Sequence, residues 1–129
     1  MTEEFVTLET AKLLKEKGFK EDVFTFYEVD CVEGDMILSE TYDESENFNE
    51  KNDCLSAPTQ SIAQKWLRET KNIHICVYNC ACGYVYEISK ADNGTRIASS
   101  TYKRTNDVGE WDAYEEALEA GIQEALKLI

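Results

Sequence analysis

Residues 73–104 read IHICVYNCACGYVYEISKADNGTRIASSTYKR, and this stretch decides the fold. Ile73, Ile75 and Val77 alternate with His74, Cys76 and Tyr78, the two-residue period of a half-buried strand. Asn79–Gly83 reads as a turn and Tyr84–Ser89 as a second strand. Asp92-Asn93-Gly94 is a hairpin signal, because Asn and Gly tolerate the positive φ that a tight turn imposes. Arg96–Arg104 alternates again, which predicts a third strand and an antiparallel meander.

A meander of this kind needs a cover. Tyr114, Ala117, Leu118, Gly121, Ile122, Ala125, Leu126 and Ile129 recur at three- and four-residue spacing, so they form the apolar stripe of a C-terminal helix. The small side chains at Ala117, Gly121 and Ala125 would let that helix approach the sheet closely. Asp112 and Glu115 predict a variant capping box, with carboxylates at the positive end of the helix.

Upstream, Phe5–Gly18 reads as a first helix with Thr7 as N-cap and Gly18 as its left-handed stop. Asp22–Val32 is rich in β-branched and aromatic residues and predicts a strand, with Gly34-Asp35 as a turn and Met36–Leu38 as a short strand or a loop anchor. A second helix is expected to begin near Ser56 or Ala57, with Pro58 in its first turn and Ile62, Ala63, Trp66 and Leu67 as its apolar stripe. Ser39–Asp53 carries Glu40, Asp43, Glu44, Glu46, Glu50 and Asp53 against the single Lys51, and reads as a long acidic surface loop. The expectation is one α+β domain over residues 1–129. In it, an antiparallel sheet of three to four strands is packed by the C-terminal helix and two further helices.

Composition narrows the function. The chain has 129 residues, 26 acidic and 13 basic, for a formal net charge of −13. A nucleic-acid reader needs a basic footprint to displace counterions from phosphate, so direct nucleic-acid binding is not expected. Hydrophobic residues make up 43%, enough for a core, and no apolar run reaches the roughly 20 residues that span a bilayer. The start, Met1-Thr2-Glu3-Glu4, lacks the plan of a signal peptide, and five cysteines suit reduced thiols better than a disulfide framework. A soluble cytoplasmic protein is expected.

One cluster carries ligand-type residues: His74, Cys76, Cys80 and Cys82. Thiolates and imidazole suit zinc, but the spacing lacks two separated Cys-x2-Cys pairs, so small unligated strand and turn residues are the simpler reading. Cys76 and Cys82 would face each other across the hairpin. His74 and Cys76 share a strand face and so form a candidate nucleophile pair, with no third group to orient them. Asp43–Cys54 departs from a calcium loop, since Phe48 stands where glycine is needed and Cys54 where the final glutamate belongs. Neither a P-loop, a GxGxxG nor a serine elbow occurs.

Several segments resemble a family of small uncharacterised bacterial and phage proteins. They are Phe5-Val6-Thr7 with Leu13-Leu14 and Gly18-Phe19, Ser56-Ala57-Pro58-Thr59-Gln60 with Trp66-Leu67-Arg68-Glu69, Ile73-His74-Ile75, Gly83-Tyr84-Val85-Tyr86, and Tyr114–Leu118 through Ala125-Leu126. The resemblance implies a cytoplasmic protein of mobile-element origin and carries over no activity. The last third is also similar to the antitoxin half of small toxin–antitoxin pairs, though no DNA-binding segment accompanies it.

These observations lead to an expectation of a non-enzymatic, cofactor-free binding or accessory protein acting through protein contacts with a basic partner. Glu40, Asp43, Glu44 and Glu46 of the acidic stretch, with an exposed face around Trp66 and Arg68, are the candidate partner-binding residues. A metal- or thiol-dependent activity at the His74 cluster and an antitoxin-like role are the alternatives.

Overall fold

Thr7 opens the first helix by accepting the amide of Thr10 on its hydroxyl, which satisfies one of the donors that a helix start leaves free. That helix, α1, runs Leu8–Glu16, and Gly18 follows it with φ of 92°. Thr10, Ala11 and Leu14 are its buried face, and Phe19 turns back into the core. The computed structural model describes residues 4–30, 32–81, 83–102 and 110–129. By packing, the chain divides into two compact units, Met1–Ser61 and Ile62–Ile129.

The first unit holds a three-stranded antiparallel sheet. Its strands are β1 (Thr25–Val29), β2 (Met36–Glu40) and β3 (Cys54–Ser56), in the order β2-β1-β3. The β1–β2 hairpin closes where Asp30 donates its amide to Asp35 and Gly34 donates to Asp30. β3 replaces the start of the second helix expected at Ser56 or Ala57. The reason is that the backbone there is already committed to strand pairing: Ala57 donates its amide to Thr25, and Thr25 Oγ1 donates back to the Ala57 carbonyl. Pro58 then accepts from the Val6 amide, so it precedes the helix and does not lie in its first turn.

Ser39–Asp53 is not one open loop. Ser39 and Glu40 belong to β2, Glu46 and Val23 exchange two backbone hydrogen bonds, and Phe48–Glu50 forms a 3-10 turn. Phe48 is 3% exposed and stacks on Phe26 at 4.1 Å between ring centroids. Burial of this one large apolar side chain anchors the middle of an otherwise polar stretch.

Helix α2 (Gln60–Thr70) crosses from the first unit into the second. Ala63, Trp66 and Leu67 are buried as the spacing predicts, whereas Ile62 is exposed and leaves the stripe. The second unit contains the expected meander: β4 (Ile73–Cys80), β5 (Gly83–Lys90) and β6 (Arg96–Ser99), antiparallel in that order. The third strand is shorter than predicted and passes into a 3-10 turn, Ser100–Tyr102. Ser100 Oγ accepts the Tyr86 amide at 3.1 Å, so a side chain takes the rung that a continuing strand would fill. Lys103 and Arg104 lie outside the described residues.

Helix α3 (Tyr114–Lys127) packs on β4 and β5. Its small residues serve the close approach anticipated from the sequence: a Cβ at Gly121 would stand 2.9 Å from Ile75 Cγ2 and 3.2 Å from Tyr86 Cγ. The expected capping box is absent. Ala113 is the N-cap and no side-chain bond caps the helix, because the helix starts one residue too late for Asp112 to reach its free amides. Tyr114 falls off the buried stripe and meets Tyr84 edge-on. Among the described residues, no helix is long and apolar enough to cross a membrane.

Candidate functional site

The imidazole and the two described thiols of the second unit sit along one strand. β4 places His74 opposite Ser89, Cys76 opposite Glu87 and Cys80 opposite Gly83. The expected facing of Cys76 and Cys82 involves Cys82, which lies outside the described residues. Cys76 and Cys80 are exposed, and His74 is half-buried with Nδ1 lacking a hydrogen-bond partner among the described residues. A strand rises about 3.3 Å per residue, so residues two and four apart stand roughly 7 and 13 Å apart along it. Zinc ligands must all lie about 2.0–2.3 Å from the metal. An extended strand holds His74, Cys76 and Cys80 too far apart for that, and the described residues contain no group of three His, Cys, Asp or Glu side chains able to hold a metal ion.

Among the described cysteines, Cys54 is the buried one. Burial raises its pKa, and the neighbouring Asp53 carboxylate, 3.7 Å from its sulfur, raises it further. It is thus held in the unreactive protonated form. Two more groups are distinctive in the second unit. The Tyr86 ring is fully buried and its hydroxyl donates to the Glu124 carboxylate. Burial raises the Glu124 pKa, with Lys127 opposing.

The acidic candidates fall on one segment of the first unit. Glu40 ends β2 opposite Thr25, and Asp43 and Glu44 follow it in the turn beyond, all three exposed. Glu46 is already engaged, its carboxylate 2.8 Å from Lys51 Nζ; that ion pair raises the Lys51 pKa. Trp66 and Arg68 belong to α2 in the second unit. Arg68 is exposed, but Trp66 is 6% exposed, with the Lys71 ammonium 5.5 Å from its ring centroid. Its placement on an exposed face is corrected accordingly: position 66 lies on the same buried stripe as Ala63 and Leu67.

The distribution of charge sharpens this picture. Residues 1–61 hold 16 acidic and 5 basic side chains, a net of −11, while residues 62–129 hold 10 and 8, a net of −2. Residues 21–50 alone hold 11 acidic side chains and neither Lys nor Arg. This segment includes the whole β1–β2 ribbon. The absence of any basic residue over that length is a signal visible in the sequence that the reading of Ser39–Asp53 alone passes over.

The ribbon also exposes apolar groups. Ile37 is 41% and Leu38 45% exposed, and they project from opposite faces of β2. Tyr42, just beyond the strand, is almost fully exposed. No protein-family model, no curated protein and no solved structure matches this chain, so its candidate site rests on the geometry of the acidic ribbon.

Proposed function

We propose that this chain is a non-enzymatic binding protein that recognises a partner protein presenting a basic surface. One observation carries the reading: the excess charge is not spread over the molecule but gathered on the β1–β2 ribbon and its flanks, where 11 carboxylates occur without a Lys or Arg. The Debye length is about 8 Å at physiological salt, so charges packed this closely act together on anything that docks against them. Such crowding of like charge repels itself and destabilises the compact state. A cationic partner relieves that repulsion, and the same field accelerates its encounter.

The test is native mass spectrometry on tagged chain purified gently from its host at physiological salt, beside the triple variant Glu40→Gln, Asp43→Asn, Glu44→Gln. The expected result is a basic companion polypeptide that leaves at high salt and is missing from the variant. A bare chain mass refutes the proposal. So does a companion that survives both high salt and the variant.

A further inference from the structure

Two backbone bonds set the phase of the β1–β2 ladder. Thr41 donates its amide to Phe24, and Asp30 donates to Asp35. In an antiparallel pair the bonded positions alternate. Residues 35, 37, 39 and 41 therefore turn their main-chain groups toward β1, and Met36, Leu38 and Glu40 turn theirs outward. β2 is an edge strand, and among the described residues nothing bonds those outward groups.

The other edges differ. On β3, Asn49 Oδ1 accepts the outward amide of Ser56, and Lys15 Nζ donates to the Cys54 carbonyl. On β4, Gln64 Nε2 donates to the Ile75 carbonyl at 2.7 Å, while the outward groups of Val77 and Asn79 have no partner among the described residues, so what sets β2 apart from that edge is its acidic setting. β6 is only four residues long and meets β5 across an irregularity in register. Proteins commonly blunt open edges with Lys, Pro, bulges or a covering element. β2 has no Lys, Pro or bulge: it reads Met-Ile-Leu-Ser-Glu in unbroken register with β1.

We infer that the outer edge of β2 is a strand-addition site for an extended, Lys/Arg-rich segment of a partner protein. This rests on the basic-partner reading above and adds how the partner is held. The segment pairs its backbone with Met36, Leu38 and Glu40, which offer three N–H and three C=O groups between them. Its side chains form an apolar centre between cationic ends, because β2 is apolar on both faces at Met36, Ile37 and Leu38 and acidic at its ends and flanks. Apolar groups lie beside Leu38 and Ile37, and cations beside Glu40 and the acidic flanks at Glu33, Asp35, Asp43 and Glu44. Main-chain bonds supply affinity in this mode and side-chain complementarity supplies specificity. A second copy of this chain is the poorer occupant, since edge-to-edge pairing would lay two segments of 11 carboxylates, residues 21–50 of each copy, side by side.

The test measures fluorescence anisotropy of a labelled ten-residue peptide with a central block of four valines and three lysines at each end. A twin peptide, N-methylated at two adjacent central residues, keeps the charge but loses a central donor on each strand edge and carries a methyl group there instead. The protein is used whole, as wild type and as Leu38→Pro. The Leu38 amide points outward, so proline removes an edge donor without cutting a β1–β2 bond. The expected result is at least a tenfold weaker Kd for both the methylated peptide and the variant at equal salt. Equal binding by both peptides and both proteins, with steep salt dependence, overturns the edge site and leaves the basic-partner reading standing. No binding of the cationic peptide even at low salt overturns both, and assigns the carboxylates to keeping the edge from self-pairing. Self-association of the wild type that Leu38→Pro abolishes gives the edge to a second copy and overturns the proposed occupant. Should the variant fail to fold, the two peptides against wild type decide the question alone.

Discussion

Replacing Gly83 by alanine should be far more damaging than replacing Gly94, although both glycines have positive φ. Gly94 lies in the β5–β6 turn with φ of 75° and nothing within 4 Å of an added Cβ. Its alanine variant meets only the left-handed penalty of about 1–2 kcal/mol, partly offset by about 0.4–1 kcal/mol from a less flexible unfolded chain. A net loss of about 1 kcal/mol follows. Gly83 begins β5 with φ of 137°, and its Cβ would stand 2.7 Å from the Trp111 carbonyl oxygen. That oxygen cannot swing aside freely, because Trp111 and Tyr84 exchange backbone bonds of 2.8 and 2.9 Å. Strain of about 1–3 kcal/mol for the conformation adds to about 1 kcal/mol for each bond stretched open. We expect a total near 3–5 kcal/mol, or a drop of roughly 10–20 °C in Tm. Urea unfolding followed by tryptophan fluorescence, with Gly94→Ala as the matched control, reads the difference directly. If the two variants fall within 1 kcal/mol of each other, the Gly83–Trp111 contact does not constrain the fold as argued.

Two further outcomes follow from the titrating groups. The raised pKa of Glu124 means that the folded state holds its proton more tightly than the unfolded chain, so the associated stability is present at low pH and is lost as pH rises through the raised value. Glu124→Gln keeps an acceptor for the Tyr86 hydroxyl and removes that loss, so wild-type stability relative to the variant should decline as pH climbs from below the ordinary carboxylate range; a flat difference refutes the assignment. Cys54, buried and with a raised pKa, should alkylate with iodoacetamide much more slowly at pH 8 than the exposed Cys76 and Cys80. Peptide mapping by mass spectrometry checks this, and equal rates at the three sites would show that Cys54 is not shielded.

Much of the architecture is legible from pattern because each pattern has one mechanical solution. The alternation at 73–78 and the Asn-Gly turn at 93–94 produce the meander. The spacing Ala117, Leu118, Gly121, Ile122, Ala125 produces a helix whose smallest residue lies against Ile75 and Tyr86. The Thr7 cap is equally local, since its acceptor and the Thr10 amide are three residues apart. β3 is not legible in this way. Ser56, Ala57 and Pro58 are good residues for starting a helix, and only pairing with Thr25 and Val6, more than thirty residues away, draws their backbone into a ladder. Trp66, by contrast, is legible from its spacing with Ala63 and Leu67, which puts it on the stripe that the structure buries.

The candidate site divides along the same line. The sequence by itself determines how much negative charge the chain carries, that residues 21–50 contain no cation to neutralise it, and which side chains alternate along each strand, because charge and periodicity are properties of residue order. Tertiary structure alone decides which edge of which sheet is left open. That depends on where Lys15, Asn49 and Gln64 reach once the chain has folded. Their side chains take the outward Ser56 amide and Cys54 carbonyl of β3 and the outward Ile75 carbonyl of β4, and none of them reaches Met36, Leu38 or Glu40.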